Sequence, residues 1–265
     1  TMAEQEPHES PNPDELEAPE EDPPAEGLPD GKHVTLDDKG NPRMESHYRN
    51  GLLDGEMRVF DDSGNVAERM LYKEGKLNGY SLFYNAEGDL IQKACFLNGE
   101  LDGLLTLYEL NEVHTEIHFR NGKRDGETIA YDATGDVMAR MNFVEGKLNG
   151  ESLLYASEGK LIKKSMYVKQ KLEGKSEDYY PDGVLRESCF YRDNKREGEL
   201  IRYDMEGRLK EKLFYRDGKP VDEAIKHDEK GNMVESVRYD ASGKISSKGA
   251  YKYNEKGNKV KRTYY

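Results

Sequence analysis

One glycine recurs along the chain at nearly constant spacing, and this spacing limits what the chain can fold into more than any other feature. The repeated glycine stands at Gly31, Gly55, Gly79, Gly103, Gly126, Gly150, Gly174 and Gly198. The step is 24 residues, except for one step of 23 residues between Gly103 and Gly126. A fixed period of this length indicates an array of small units that contact mainly their neighbours. We therefore expect one elongated array instead of globular domains.

Each repeat combines two aromatic positions with two turn signals. One aromatic stands five residues after the repeated glycine, as at Tyr131, and a second closes the repeat, as at Phe143. A turn such as "DATG" (residues 132–135) separates two short segments rich in β-forming residues, without the apolar stripe of a helix. Each repeat is therefore predicted to be one β-hairpin. About nine hairpins would form an all-β, single-file antiparallel array.

The charge of the chain is concentrated at its two ends. Residues 1–31 contain eleven acidic residues, seven of the ten prolines, and no Lys or Arg. Such a composition cannot bury enough apolar surface to fold, so residues 1–30 are predicted to be a disordered acidic tail. An acidic docking peptide for a basic partner is the alternative. Residues 31–243 form the predicted array and residues 244–265 a lysine-rich cap hairpin. These lysines are spread over more than one strand, so no nucleic-acid partner is expected.

Strict alternation along each hairpin predicts two faces. Face A would carry the closing aromatics together with the first-strand aromatics, such as Tyr84 and Tyr131, and would form the core. Face B would be apolar in roughly the first five repeats and charged in the later ones. Its apolar residues are the partner-binding candidates Val59, Phe83, Leu107, Ala130, Leu154, Ile91, Met138 and Ile162. Two interpretations stay open: this stripe binds another protein, or the ribbon coils and buries the stripe against itself.

Few residues suggest catalysis. His114, Glu116 and His118 alternate on one predicted strand and could begin a metal site, but a zinc site needs further well-placed ligands. Cys95 and Cys189 are four repeats apart and are not expected to pair. No glycine pair precedes a helix, as a phosphate-binding loop would require. We therefore expect no enzyme activity, no cofactor and no metal.

The chain has no run of about 18 apolar residues, so membrane insertion is not expected. No signal peptide is visible at the N-terminus, and two unpaired cysteines suit a reducing compartment. A cytoplasmic location is therefore favoured. A periplasmic or surface-anchored location stays open, because an upstream signal could have been removed.

The unit aromatic–x–[Asn/Glu/Asp]–Gly–Lys–x–x–Gly–x4–aromatic–x3–Gly resembles the MORN repeat. It is most similar to the variant in the bacterial YwqK-type family labelled "antitoxin". The segments "YKEGKLNGYSLFYNAEG" and "FRNGKRDGETIAYDATG" carry the resemblance, which covers roughly residues 31–243. It weakens where Gln170 and Asn194 replace the first glycine and Asp222 replaces the second. The C-terminal stretch also resembles the tyrosine–aspartate repeats of bacterial Rhs-type surface and toxin shells.

The resemblance implies protein binding, scaffolding or toxin neutralisation. Our first hypothesis is a non-enzymatic bacterial protein that holds a toxin, a secreted effector or an assembly component along face B. The alternative is a structural or adaptor rod in an envelope or surface assembly. Binding of lipid headgroups is disfavoured by the acidic charge. The identity of the partner and the oligomeric state stay open.

Overall fold

The computed structural model describes residues 27–265, which form one open antiparallel β-sheet of 23 strands. The strands are β1 (Gly31–Leu36), β2 (Pro42–Arg49), β3 (Leu52–Leu53), β4 (Gly55–Phe60), β5 (Val66–Lys73), β6 (Lys76–Tyr84), β7 (Leu90–Leu97), β8 (Glu100–Leu101), β9 (Gly103–Glu109), β10 (Glu112–Arg120), β11 (Lys123–Tyr131), β12 (Val137–Val144), β13 (Lys147–Ala156), β14 (Lys160–Val168), β15 (Lys171–Leu172), β16 (Gly174–Tyr179), β17 (Leu185–Arg192), β18 (Lys195–Tyr203), β19 (Leu209–Arg216), β20 (Lys219–His227), β21 (Met233–Tyr239), β22 (Ile245–Tyr253) and β23 (Lys259–Tyr264). The predicted all-β hairpin array is confirmed.

The chain runs as a meander, with each strand paired to its neighbours in sequence. The two-residue strands β3, β8 and β15 pair with the same strand as the longer strand that follows each of them. Within residues 27–265 the one helical segment is a single 3₁₀ turn, Ser157–Gly159. No helical segment in this part of the chain has the length and apolar character that crossing a membrane requires.

Most of the predicted acidic tail lies outside the described residues, and its last four residues contact the first repeat. The Gly27 N–H donates to the Gly51 carbonyl at 3.0 Å, and Asp30 Oδ1 accepts the Asn50 N–H at 2.6 Å. Leu28 packs against the core. The array therefore begins a few residues earlier than the predicted boundary at residue 31.

One edge of the sheet is made of Asp-x-x-Gly turns, of which Asp132–Gly135 is typical. Asp132 Oδ1 accepts the N–H groups of Thr134 at 2.9 Å and of Asp136 at 3.0 Å, and the Gly135 N–H donates to the Asp132 carbonyl. The hydrogen bond from the Thr134 hydroxyl, with those backbone bonds, lowers the pKa of Asp132. An aspartate at the first turn position thus supplies the local signal that fixes this turn.

As far as Gly218, the opposite edge is made of two-residue turns whose central residues both have positive φ, such as Asn121 (48°) and Gly122 (74°). This backbone matches the twist of an antiparallel hairpin. Each turn is also bonded to the preceding repeat. The Gly122 N–H donates to the Leu101 carbonyl at 2.8 Å, and the Asn121 N–H to Asp102 Oδ2 at 3.1 Å. The same two bonds recur one repeat later, so this edge is continuous along the array.

The repeated glycine is needed for both its backbone conformation and its lack of a side chain, as Gly126 shows. Its φ is +115°, and a Cβ built there would lie 3.1 Å from Cβ of His118 on the neighbouring strand. His118 Nδ1 in turn donates to the Glu127 carbonyl at 3.0 Å. A side chain at residue 126 would strain the backbone and displace His118, which explains why glycine recurs here.

A β-bulge beside each Asp-x-x-Gly turn decides which residues share a face. Ala130 pairs with Ala139 and Tyr131 pairs with Val137, so Met138 is an extra residue without a partner. Alternation counted through the turn is therefore displaced by one residue. The Tyr131 hydroxyl donates to Glu116 on face B at 2.8 Å, whereas the closing aromatic Phe143 pairs with Gly126 on face A. The prediction that both series of aromatics lie on face A is wrong.

Face A carries the core. Its central row is formed by small and apolar residues paired across the strands, such as Leu105 with Ile117, which are 1% and 0% exposed. The closing aromatics and the leucines that pair with them flank this row, as Tyr72 and Leu77 do. The core forms one cluster in residues 48–119 and another in residues 189–237. Bulky flanking side chains thus cover a row of smaller ones within a single sheet layer.

The Gly126→Ala substitution should lower the free energy of unfolding by about 1–3 kcal/mol, because alanine must adopt a left-handed φ against His118. The matched control is Gly122→Asn, since Asn194 occupies the equivalent turn position with φ of 66°. Urea unfolding followed by circular dichroism measures both. Equal losses in the two variants would contradict the role assigned to the repeated glycine.

Candidate partner-binding surface

The structure divides the eight partner-binding candidates between the two faces. The second-strand residues Ile91, Met138 and Ile162 lie on face B, as predicted, with Ile91 and Met138 exposed. The first-strand residues are on face A, because each pairs with a face-A residue of a neighbouring strand: Val59, Phe83, Leu107, Ala130 and Leu154. The prediction of one common stripe is wrong, and the bulge beside each turn is the reason.

Burial separates the five face-A candidates further. Val59 and Leu107 are 5% and 8% exposed and belong to the core, so neither side chain is available to a partner in this fold. Phe83 and Ala130 are half-buried, and Leu154 is exposed. Partner binding by the remaining candidates stays a prediction.

The predicted change from apolar to charged residues along the chain is present, but it occurs on face A. From Lys163 to Glu235 the row that contains Val59 and Leu107 consists of charged residues of both signs. Arg202 bridges Glu187 at 2.7 Å and Glu211 at 2.5 Å. These half-buried ion pairs replace apolar contacts in the C-terminal half of the array.

Face B carries a second set of ion pairs in four of the eight repeats. The residue after the repeated glycine pairs with a basic residue thirteen positions later: Glu56 with Arg69 at 2.8 Å, Glu127 with Arg140 at 2.8 Å, Glu151 with Lys164 at 2.6 Å, and Glu199 with Lys212. The hydrogen bond from Arg69 holds the pKa of Glu56 below its ordinary value. In these repeats the charged groups of face B already have partners within the array.

The ion-pair series is interrupted at Tyr80, which stands where Glu56 and Glu127 stand in their repeats. Lys93, thirteen residues later, lies over the Tyr80 ring at 4.3 Å from its centroid, and the ring is 52% exposed. Apolar side chains also lie on this part of face B. We define the Tyr80 patch as Leu71, Tyr80, Ile91, Cys95 and Leu97.

Tyr80 of β6 pairs directly with Cys95 of β7, and Leu97 lies two residues further on the same face of β7. Ile91 lies on that face too, about 13 Å along the strand from Cys95, with Lys93 between them. Leu71 Cδ1 lies 3.1 Å from the position of a Cβ at Gly79, so it packs beside Tyr80. The sequence pattern identified Ile91 but missed Tyr80 and Leu71. The available signal was the tyrosine that replaces a repeated glutamate.

The histidines that suggested a metal site have other partners. His114 Nδ1 lies 2.9 Å from the Thr115 hydroxyl, and His118 bonds to a backbone carbonyl. In residues 27–265 no three His, Cys, Asp or Glu side chains converge to hold a metal ion. Cys95 and Cys189 are both free thiols, and burial raises the pKa of Cys189.

A family model described as "MORN repeat variant" matches residues 53–74 and 172–193. The resemblance to MORN repeats is thus supported at two places in the array, while no named relative supports the assignment to the YwqK-type family. The chain matches no curated protein sequence.

Several solved structures are similar to the chain at low identity. A complex of a Staphylococcus aureus TarM point mutant is 11% identical over 45% of this chain and 19% of that chain, with a TM-score of 0.22. The TcdB2-TccC3 structure without its hypervariable C-terminal region is 12% identical over 89% and 15%, with a TM-score of 0.22. The Photorhabdus luminescens Tc holotoxin pore is 13% identical over 84% and 14%, with a TM-score of 0.23. This chain spans less than one fifth of each of those chains.

The ion pairs predict how stability depends on pH. The pKa values of Glu56, Glu177 and Glu235 are lowered, chiefly by hydrogen bonds from Arg69, Lys175 and Lys248 respectively. Groups with lowered folded pKa values stabilise the fold above their unfolded pKa of about 4.3, and this contribution is lost as pH falls through the folded pKa. The thermal midpoint should therefore be nearly constant from pH 7 to 5 and fall between pH 5 and 3.

The triple substitution Glu56→Gln, Glu177→Gln and Glu235→Gln should lower the midpoint at pH 7 and reduce its fall between pH 5 and 3. Thermal unfolding by circular dichroism at each pH checks both effects. A fall as steep as that of the native chain would show that other carboxylates carry the pH dependence.

Proposed function

We propose that the chain is a non-enzymatic, protein-binding repeat array and that the Tyr80 patch is its docking surface. The observation that supports this proposal is the replacement of a repeated surface ion pair by an exposed tyrosine among aliphatic side chains. The fold itself is maintained by face A and by the turns, so nothing in the fold requires an apolar patch at this place on face B.

The patch has the chemistry of a protein-binding site. Tyrosine contributes a large, rigid contact area at low cost in conformational entropy, and buried aromatic anchors carry much of the energy of protein interfaces. Covering Leu71, Ile91 and Leu97 would remove three exposed aliphatic side chains from water. Lys93 is held over the ring and adds a charge at the margin, where an acidic group of the partner would be favoured.

For the partner we propose a toxin or a secreted effector, which the array would neutralise or hold before release. The support is the sequence resemblance to the repeat family labelled "antitoxin". The alternative proposal is a structural or adaptor rod in an envelope or surface assembly. The support for that proposal is the edge of two-residue turns, each bonded to the preceding repeat, which makes the array continuous.

The Tyr80→Asp substitution should leave the array folded and abolish partner binding, because it removes the aromatic contact surface and places there a carboxylate that can pair with Lys93, as Glu56 pairs with Arg69. The matched control is Phe190→Asp, which changes another exposed aromatic of face B outside the patch. A photo-crosslinking amino acid placed at residue 80 or 190, followed by mass spectrometry, identifies the partner. Calorimetry with that purified partner then measures affinity, with at least a tenfold loss expected for Tyr80→Asp.

Leu107→Asp is the complementary test of face A. Leu107 is buried in the core, so this variant should unfold or lose most of its cooperative transition. Equal affinity of the Tyr80→Asp and Phe190→Asp variants for the partner would exclude the patch as the docking surface. Loss of binding in both variants would favour the rod, whose contacts would be spread along face B.

A further inference from the structure

A groove of about 950 Å³ lies in the C-terminal part of the array. It runs between the turns that begin at Asp204 and Asp228 and is closed on one side by residues of β22. His227 lies in it, at the position that tyrosine occupies in the preceding repeats, as at Tyr179 and Tyr203. The smaller imidazole leaves space that a tyrosine ring would fill.

Three tyrosines line the groove with their hydroxyls already bonded. Tyr180 donates to the Tyr203 carbonyl at 2.9 Å, Tyr253 donates to the Met233 carbonyl at 2.9 Å, and the Tyr251 hydroxyl lies 3.1 Å from that of Ser236. These bonds fix the rings in place. Leu209 and Val234 add aliphatic surface between them. Tyr251 is buried and already has Lys259 and Arg262 over its ring. The aromatic surface available in the groove therefore comes from Tyr180 and Tyr253, beside aliphatic Leu209 and Val234.

The groove is lined by four basic and four acidic side chains, and Arg208 is ion-paired with Asp204 and Glu206. In the described part of the chain, Lys210, Lys230 and Lys252 have no carboxylate within ion-pair distance. Lys256, Lys259, Lys261 and Arg262 extend this positive surface along the last hairpin.

The carboxylates of the groove are largely occupied. Asp204 accepts two backbone N–H groups of its own turn and a hydrogen bond from Arg208 at 2.7 Å. Asp228 accepts bonds from Lys230 and Asn232 within its turn, and Glu206 pairs with Arg208 at 2.9 Å. Glu229 alone of these acids has no partner in residues 27–265. These hydrogen bonds leave the carboxylates charged, so the excess of positive charge comes from Lys256, Lys259, Lys261 and Arg262 of the last hairpin, beside the groove.

Tyrosine-lined grooves suit extended, proline-rich segments, because proline rings pack flat against aromatic faces and the polyproline conformation costs little entropy to order. A lysine rim adds a preference for acidic residues. This chain contains such a segment. Residues 1–26 have ten acidic residues and six prolines and no Lys or Arg. We propose that residues 1–26 of a second copy of this chain bind in the groove, so that copies associate head to tail.

The occupant comes from a second copy because the chain's own segment is too short to reach comfortably. At about 4.8 Å per strand, the path along the sheet from β1 to β20 is roughly 75 Å. Twenty-six residues span at most about 90 Å when fully extended. The segment would therefore have to be almost fully extended along the sheet before it could bind in the groove. A segment that binds a second copy does not have to be stretched along its own sheet, so it keeps more of its conformational entropy.

A fluorescein-labelled peptide of residues 1–26 tests the groove directly by fluorescence anisotropy against the full chain. The peptide should bind the native chain, and the double substitution Lys210→Glu and Lys252→Glu should weaken binding at least tenfold. The matched control is Lys123→Glu with Lys147→Glu, which makes the same change of charge at exposed positions far from the groove. A scrambled peptide of identical composition should bind at least fivefold more weakly. Equal binding of the scrambled peptide, or of the two double variants, would overturn the proposal.

Sedimentation velocity of the full chain tests association between copies. The weight-average mass should rise with concentration at low salt, fall on addition of 0.5 M NaCl to about the mass of one chain, and stay low in the groove variant. A mass of one chain at every concentration would overturn the proposal. Fluorescence energy transfer between labels at residues 5 and 230 in a monomeric sample would also overturn it, because it would show that the segment binds within its own chain. The Tyr80→Asp variant should associate like the native chain, which separates this proposal from partner docking at the Tyr80 patch.

Discussion

The left-handed backbone at the repeated glycine is the constraint on which the rest of the sheet depends. At Gly126 this backbone lets the chain bulge towards the preceding strand, so that His118 lies over the glycine. It also brings the two-residue turn at Glu145 and Gly146 within hydrogen-bonding distance of the preceding repeat. The conformation persists where the glycine is lost, since Asp222 keeps a φ of 60°. Aspartate tolerates this region better than most residues, so the backbone can be retained without the glycine.

The array could be predicted from the sequence because its signals are local. The aspartate of each Asp-x-x-Gly turn and the Asn–Gly pair of the opposite turn specify their own hydrogen bonds. The faces could not be predicted in the same way. The extra residue at Met138 has no signature of its own, and one unpaired residue is enough to exchange the faces of a whole strand. The apolar residues of the predicted stripe were identified correctly, but they were assigned to one face although they lie on two.

Only part of the candidate site could be predicted, because its residues are recognised by the faces on which they lie. Hydrophobicity alone identified Ile91, but it placed the buried Leu107 in the same stripe. Tyr80 becomes informative only when it is compared with Glu56 and Glu127, its equivalents in other repeats. The thirteen-residue spacing of the ion pairs depends on the register of the strands, which the sequence pattern did not give correctly.

Both proposed surfaces arise where a repeat departs from the residue found in several others. Tyr80 stands at a position that is glutamate in four of the eight repeats, and His227 at a position that is usually tyrosine. Neither change touches the central row of face A or the turn hydrogen bonds, so neither disturbs the contacts that make the fold. In a repeat array the regular positions are constrained by the neighbouring repeats, while an exposed position in a single repeat is free to vary. Departures at exposed positions are therefore where a partner would be specified. A half-buried departure such as Arg196, which lies beside Tyr191 and Tyr215, is better explained by packing.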